Sequence, residues 1–284
     1  MMGIELEELE LRNADDLPVR VDLRHDPERP VRGKVVVCHG FKGFRRWGFF
    51  PWVGEQLAAA GWMNAVLDFS MNGVGSDPMQ FSRLDLFERN SYSQELEDLD
   101  LVIADLLARG PSDASLGLLG HSRAAVDVLV RAAEDAAVRA LVTWNGVGDT
   151  LRFTARQLAQ WEEDGRLEFT NARTGQKMAM SFDFVRDARD NAARFDLQRA
   201  ARGMAAAHLI VHATDDMAVP VAESVILQAG REDADRCQRV EIASTTHTFG
   251  AVHPFAGSTA PLEQAMQLSL DWLDNHLREE AGGE

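Results

Sequence analysis

One short segment constrains the fold of this chain more than any other: the pentapeptide GHSRA at residues 120–124. It follows an apolar run at 114–119 and precedes a helix-forming run at 124–137, which predicts a tight strand-to-helix turn with Ser122 at its apex. Such a turn holds the serine in a strained backbone conformation and exposes its hydroxyl. Small residues are needed at positions 120 and 124, because strand and helix nearly touch there. Ser122 is therefore the candidate nucleophile.

A second glycine-containing turn lies upstream, where the apolar run 35–38 ends in the sequence HGFKG at 39–43. Acyl transfer through a serine needs backbone N–H groups that point at the developing oxyanion, and a loop after an early strand commonly supplies one of them. We assign the amides of Phe41 and Arg123 to this oxyanion hole. A glycine-rich turn that only closes the strand is the alternative interpretation.

A serine hydroxyl is a weak nucleophile near neutral pH, so this chemistry requires a histidine base further along the chain. Three histidines follow the strand-like run at 208–212 and its acidic turn. His276 lies in a sequence with helical periodicity, which favours a solvated helix position. His247 follows the strand-like run 240–243 through a short polar turn and is the preferred base. His253 remains the second candidate.

The acid that orients this histidine is expected after the strand that begins at His208, in the sequence ATDDMAVP at 213–220. Asp216 precedes the helix-opening proline by four residues and is the preferred acid, while Asp215 would cap the turn or face solvent. Asp149 is a third candidate because it follows another strand-like run. A single aspartate at a strand end is usually a turn residue. The chain order Ser, Asp, His, each at the end of an apolar run, favours the catalytic interpretation instead.

With these motifs the chain resembles the α/β-hydrolase superfamily, and among its members the bacterial esterases near the dienelactone hydrolase, cinnamoyl esterase and prolyl-oligopeptidase-like groups. The resemblance covers residues 30–280 and rests on five motifs: HGFKG at 39–43, DFSMNGVG at 68–75, GHSR at 120–123, DMAVP at 216–220 and HTF at 247–249. It implies that Ser122 is the nucleophile, His247 the base and Asp216 the acid. It also implies that the protein needs no metal and no organic cofactor.

Strand-like and helical runs alternate along most of the chain after a lead-in hairpin formed by residues 4–11 and 19–24. This alternation predicts an α/β fold with a mostly parallel central sheet and helices on both faces. Residues 150–207 interrupt the pattern, because they separate two sheet strands by more than an ordinary crossover requires. We predict a core formed by residues 1–149 and 208–284, with 150–207 as an inserted cap that contains a helix and a hairpin.

The predicted substrate pocket combines residues of the turns and of the cap. Apolar cap residues either line the pocket or form a small core of the cap itself, and the second role is expected for most of them. The basic side chains of Lys42, Arg45 and Arg46 are expected to form a solvated face of their loop, with attraction of an anionic substrate as the alternative. The residues assigned to substrate binding are Gly40, Lys42, His121, Met178 and Met180.

Composition limits the remaining classes of function. The 284 residues, 45% of them apolar, suffice for one large core and a modest insertion. A net charge of -16 argues against a nucleic-acid or anionic-membrane partner, and no apolar stretch approaches the length of a membrane span. The first residues lack the pattern of a signal peptide, and two cysteines form no disulfide framework, so we expect a cytoplasmic protein. His208 and His212 share a zinc-like spacing, but they lie in a strand and no further ligands accompany them.

These observations predict a serine hydrolase that cleaves a small-molecule carboxylic ester through a Ser-His-Asp triad. The triad by itself does not select the leaving group, so a thioesterase and a short-peptide or amide hydrolase are the nearest alternatives. An acyltransferase and a non-catalytic binder of small molecules are further ones. The natural substrate remains open, as does a homo-oligomeric state.

Overall fold

The computed structural model describes residues 3–111, 114–171, 173–229, 231, 233 and 235–277. Residues 1, 2, 112, 113, 230, 232, 234 and 278–284 of the predicted core, and residue 172 of the predicted cap, lie outside this part. The strands are β1 Glu5–Arg12, β2 Pro18–His25, β3 Gly33–Cys38, β4 Trp62–Asp68, β5 Leu116–His121, β6 Val138–Trp144, β7 Arg166–Thr170, β8 Lys177–Ser181, β9 Ala207–Ala213 and β10 Cys237–Ile242. The α-helices are α1 Phe50–Ala59, α2 Leu84–Arg89, α3 Tyr92–Leu107, α4 Ala125–Glu134, α5 Ala155–Asp164, α6 Asp183–Asp190, α7 Leu197–Gly203, α8 Ala222–Gln228 and α9 Ala260–His276.

Eight of these strands form one sheet in the order β1-β2-β4-β3-β5-β6-β9-β10. β2 pairs antiparallel with β1 on one side and with β4 on the other, and every other pair in this sheet is parallel. Parallel strands place their carboxyl ends at one edge of the sheet, where loops from several strands meet. The predicted α/β class with a mostly parallel sheet is confirmed.

Helices cover both faces of the sheet, and the side chains of each strand divide between them. In β3, Val35 and Val37 pack into a cluster with residues of α1 and α9, while Val36 and Cys38 pack into a second cluster with residues of α3 and α4. Both faces of the strand are therefore buried, as its continuous apolar run requires.

The helix ends follow local capping chemistry. The predicted helix at 151–163 begins only at α5, because Thr154 forms a capping box with Gln157 and so fixes the first helical turn. Thr259 caps α9 by accepting from the Leu262 amide, and Pro261 occupies its first turn.

Residues 150–207 contain α5, the antiparallel hairpin of β7 and β8, α6 and α7. Trp161 of α5 is buried; its indole donates to the Met180 carbonyl at 3.0 Å and stacks on the Phe184 ring, with the ring centres 6.1 Å apart. α7 packs against α4 and α8, in the helix layer of the main sheet. Across the described ranges, no helix is both long and apolar enough to cross a membrane.

Candidate active site

Ser122 lies directly after β5, in a 3₁₀ turn at 122–124 that leads into α4. Its φ of 60° is in the left-handed region, which non-glycine residues rarely adopt. Gly120 allows this turn, because a Cβ at that position would lie 2.6 Å from Val128 Cγ2 and 2.7 Å from the Ala124 carbonyl oxygen. The structure thus forms the predicted strand-to-helix turn with the serine at its apex.

Three side chains from three different strand ends form one chain of hydrogen bonds. His247 Nε2 lies 2.9 Å from Ser122 Oγ, and His247 Nδ1 lies 2.7 Å from Asp216 Oδ2. The loop after β10 carries the imidazole, and the turn after β9 carries the carboxylate. An ionised carboxylate only accepts, so Nδ1 bears the proton and Nε2 is left to accept from the serine hydroxyl.

The Asp216 carboxylate is buried, and both of its oxygens have hydrogen-bond partners. Its Oδ1 accepts from the backbone amides of Ala218 and Val219 at 2.8 and 2.9 Å, while Oδ2 faces His247. Burial alone raises the pKa of Asp216, but the hydrogen bond and charge of His247 and the two amides outweigh it and hold the pKa below its usual value. Asp216 is therefore ionised at neutral pH.

The other candidates for acid and base take no part in this chain of hydrogen bonds. Asp215 is exposed and accepts from the Thr214 hydroxyl at 3.0 Å, and Asp149 is exposed and accepts from a backbone amide of its own turn. His253 accepts from the Gly48 amide at 2.8 Å and stacks on Trp47. The fourth candidate, His276, is at the end of α9, as its helical periodicity predicts.

Two buried side chains hold the backbone of the candidate base. His121 Nε2 donates to the His247 carbonyl at 2.9 Å, and Asn145 Nδ2 donates to the same oxygen at 2.8 Å. Burial lowers the pKa of His121 to about 3, so this imidazole is neutral and bears its proton on Nε2. Asn145 also accepts from the Ala213 amide at 2.7 Å and so ties β6 to β9.

Sequence reasoning assigned no role to Asn145. The signal that could have identified it is its position directly after β6, on the strand edge where the other site residues lie. Its φ of 49° is one that asparagine tolerates better than most residues.

The loop after β3 passes directly over the serine. A Cβ at Gly40 would lie 2.7 Å from Ser122 Cβ and 3.2 Å from the Arg123 amide nitrogen, so only glycine fits this approach. Phe41, which follows Gly40, lines the space around Ser122. The structure therefore brings the two predicted oxyanion donors, Phe41 and Arg123, to the same side chain.

Buried ion pairs anchor this loop. Arg45 is 4% exposed; its Nε donates to Asp22 of β2 at 2.9 Å, its Nη1 pairs with Asp68 at the end of β4, and its amide donates to Asp68 at 2.7 Å. Arg46 also pairs with Asp22, at 3.1 Å. The expectation of a solvated basic face was wrong for Arg45, because its two carboxylate partners lie in strands that are distant in sequence.

Two cavities meet at Ser122, and four residues line both of them: Phe41, Lys42, Ser122 and His247. The first, the loop cavity, has a volume of about 520 Å³ and is also lined by Gly40, Trp47, Phe50, His121, Arg173 and His253, among others. The second, the cap cavity, has a volume of about 350 Å³ and is also lined by Tyr92, Arg123, Phe153, Phe169, Met180 and Phe184, among others.

The predicted substrate-binding residues divide between these cavities. Gly40 and His121 line the loop cavity, Lys42 lines both, and Met180 lines the cap cavity. Met178 is buried opposite Phe169 in the cap hairpin and lines neither cavity.

The two histidines with zinc-like spacing form hydrogen bonds with different partners. His208 Nε2 lies 2.9 Å from the Thr143 hydroxyl, and His212 Nε2 donates to the Val219 carbonyl at 2.8 Å. Burial lowers the pKa of both, in His208 to about 3. Among the residues that the structure describes, no group of three or more His, Cys, Asp or Glu side chains is placed to hold a metal ion.

No protein-family model and no curated protein sequence matches the chain. Solved structures do. Est1E from Butyrivibrio proteoclasticus, with ferulic acid bound, is similar with a TM-score of 0.67 and 20% identity over 94% of this chain and 99% of that one. A dienelactone hydrolase from Anabaena variabilis is similar with a TM-score of 0.60 and 17% identity over 97% and 99%.

A third similar structure is an acylaminoacyl peptidase from Pyrococcus horikoshii, with a TM-score of 0.67 and 14% identity. The match covers 99% of this chain but 43% of that one, so this chain corresponds to only part of the peptidase. These similarities show that the chain has the α/β-hydrolase fold, which is the fold that the resemblance drawn from its motifs implies.

Proposed function

We propose that this protein is a serine hydrolase that cleaves carboxylic esters through an acyl-enzyme on Ser122. The observation that carries this proposal is the unbroken chain of hydrogen bonds from Ser122 through His247 to Asp216, at the carboxyl ends of three strands of an α/β-hydrolase fold. The same spatial arrangement recurs in hydrolases of unrelated folds, because the base has to contact the nucleophile on one side and the orienting acid on the other.

In the first half of the reaction, Ser122 Oγ attacks the ester carbonyl while His247 Nε2 accepts its proton. Asp216 keeps the proton of His247 on Nδ1 and stabilises the imidazolium that forms. The amides of Phe41 and Arg123 donate to the oxyanion of the tetrahedral intermediate. His247 then protonates the leaving alcohol, and the acyl group stays on Ser122.

In the second half, water replaces the alcohol. His247 Nε2 accepts a proton from this water, which attacks the acyl carbon, and Ser122 Oγ leaves with that proton as the free acid is released. His121 and Asn145 hold the His247 carbonyl through both halves, so the imidazole keeps one orientation. The loop and cap cavities, which meet at Ser122, would take the acyl and alcohol halves of the ester.

The names of similar structures support a choice among hydrolases. A domain of a Rhodothermus marinus protein is named as an esterase domain, and its match covers 96% of this chain and 99% of that one. The peptidase match covers less than half of the peptidase. Ester cleavage is therefore proposed over peptide cleavage.

The test is hydrolysis of short-chain esters by the wild-type protein and by Ser122→Ala. We expect a measurable kcat/KM for the wild type and a loss of roughly four to six orders of magnitude in turnover for the variant, because hydroxyl attack is the step that every other residue supports. Circular dichroism spectra of the two proteins should coincide. Comparable hydrolysis by both purified proteins would contradict the proposal.

A further inference from the structure

A guanidinium lines the cap cavity beside the candidate nucleophile. The Arg123 side chain is 12% exposed, and its central carbon lies 5.0, 5.7 and 5.6 Å from the ring centres of Phe41, Tyr92 and Phe184. Three aromatic rings thus surround one cation within the range of cation–π attraction. The guanidinium is fixed in the cavity wall and is not free in solvent.

The protein uses only part of the hydrogen-bonding capacity of this guanidinium. Nη2 donates to Glu95, and Nη1 has the Met180 sulfur as a weak acceptor at 4.0 Å. Arginine carries five N–H donors, so these two contacts do not occupy it. In the described part of the chain, no oxygen acceptor other than that of Glu95 pairs with Arg123. Donors remain for an oxygen of a bound molecule.

The Glu95 carboxylate, which pairs with Arg123, accepts from one further donor. Glu95 also accepts from Asn90 Nδ2 at 2.8 Å. Next to it lies Asp127, which is fully buried and has no donor for either oxygen among the described residues. Burial and then the charge of Glu95 raise the pKa of Asp127 well above its usual value. Of these two carboxylates, only Glu95 forms an ion pair with Arg123 in the described structure.

A second cation lines the same cavity. Lys42 Nζ lies 5.4 Å from the centre of the Phe41 ring that Arg123 also contacts. Its ammonium group donates to the Thr170 carbonyl at 3.4 Å, a long contact, and within the described ranges no carboxylate forms an ion pair with it. Lys42 and Arg123 therefore approach one aromatic ring beside Ser122, in a chain whose net charge is -16.

The other charged side chains that line the cap cavity, apart from His247, have partners of their own. Arg152 pairs with Glu223 at 2.6 Å and donates to the Ala218 carbonyl. Asp149 is exposed at the surface and accepts from the Leu151 amide at 3.2 Å. The Arg152–Glu223 pair is internally neutral, and the contact of Asp149 is with an uncharged amide. Of the cations that line the cap cavity, Lys42 is the one that no carboxylate pairs with in the described structure.

We propose that Lys42 and Arg123 bind a carboxylate of the substrate, so that the preferred substrates are esters with a free carboxylate in the half that enters the cap cavity. A carboxylate accepts two parallel hydrogen bonds from a guanidinium and neutralises the ammonium group, which a neutral substituent cannot do. The aromatic walls exclude water and strengthen both interactions. This inference rests on the proposed esterase function and specifies its substrate class.

The test compares three nearly isosteric esters that differ only at one end: monoethyl adipate, its primary amide, and the ester with an isopropyl group in place of the carboxyl group. A parallel set carries the same three ends on the alcohol half of a butanoyl ester, and so identifies the half that enters the cap cavity. In one of the two sets we expect the wild type to prefer the carboxylate over both neutral esters by about tenfold or more in kcat/KM.

The variants are Lys42→Met and, because Arg123→Met alone would leave Glu95 buried without its partner, the double variant Arg123→Met with Glu95→Gln. Each should reduce the preference for the carboxylate by about tenfold or more, whatever its absolute rate. Lys177→Met is the control; this lysine is 77% exposed on the cap hairpin, and its loss should leave the preference unchanged.

Three outcomes would overturn the carboxylate proposal: equal rates for the three ends in both sets, an amide as good as the carboxylate, or a preference that survives in both variants. None of these would affect the esterase proposal, provided that the isopropyl esters are hydrolysed and that Ser122→Ala abolishes their hydrolysis. If no ester is hydrolysed at all, the esterase function itself fails.

Discussion

Asp215 and Asp216 are neighbours in sequence, yet their environments give them different chemistry. The Asp216 carboxylate is buried, accepts from two amides and faces His247, while Asp215 is exposed and bonds to a hydroxyl of its own turn. A carboxylate that fixes the proton of a catalytic histidine on Nδ1 cannot be replaced by an amide, because the amide permits the wrong tautomer.

Asp216→Asn should therefore reduce kcat by roughly three to four orders of magnitude, with the fold intact. Asp215→Asn makes the same chemical change one residue away and should have little effect. The measurement is kcat for one ester with the two variants side by side. The reverse ranking, or a dominant effect of Asp149→Asn, would assign the acid role to another residue.

At the scale of single residues, the sequence predicts those roles that a local motif marks. The nucleophile role proposed for Ser122 is predicted by its turn. The roles proposed for His247 and Asp216 are predicted by their positions after strand-like runs. Asn145 does not follow from any motif, because its role depends on a carbonyl 102 residues away that only the folded sheet brings to it. The same holds for Arg45, whose partners Asp22 and Asp68 precede or follow it by 23 residues.

At the scale of elements, the central strands were predictable and several helices were not. Continuous apolar runs such as 35–38 and 208–212 predict β3 and β9 to within two residues, because a strand buried on both faces needs apolar residues throughout. α2 has six residues and α6 has eight, so both are shorter than the window over which helical periodicity is recognised. Their packing against neighbouring elements stabilises them instead.

Two methionines of β8, in the hairpin of the predicted cap, have different surroundings. Met180 lines the cap cavity and approaches Arg123, while Met178 is buried opposite Phe169 and lines neither cavity. In β8 the two side chains lie on the same face, so sequence alternation cannot distinguish them.

Met180→Ala should change kcat/KM by different factors for esters of different chain length, since an apolar pocket discriminates by about 1 to 3 kcal/mol per methylene. Met178→Ala should lower the free energy of unfolding by about 2 to 5 kcal/mol, the usual cost of truncating a buried methionine, and leave relative ester preference unchanged. Rates for a series from acetate to long acyl esters test both expectations. A uniform change across the series for Met180→Ala would show that it belongs only to the core of the cap.

For the molecule as a whole, buried histidines link stability to pH. His208 is fully buried in β9, and burial, with a smaller effect of the Arg231 charge, lowers its pKa from 6.5 to about 3. Between these values the unfolded chain binds a proton that the folded protein does not, so stability falls as the pH decreases below 6.5. Asp98 acts in the opposite direction, because burial raises its pKa to about 6.

A single variant isolates the contribution of the buried histidine. Wild type should lose about 2 kcal/mol more stability than His208→Gln when the pH is lowered from 7 to 5, because only the wild type has this group to protonate on unfolding. Urea unfolding of both proteins at the two pH values gives the difference. His25→Gln, at the partly exposed end of β2, is the control and should follow the wild type. Parallel losses in wild type and His208→Gln would contradict the account.

The most direct test of the central claim is to label the protein with a fluorophosphonate and to locate the modified residue by peptide mass spectrometry. A serine activated by His247 should react once per chain, and the adduct should be on Ser122. His247→Ala should react far more slowly, because the hydroxyl then has no base. An unmodified wild-type protein that is correctly folded, or an adduct on another serine, would contradict the assignment of Ser122 as the nucleophile.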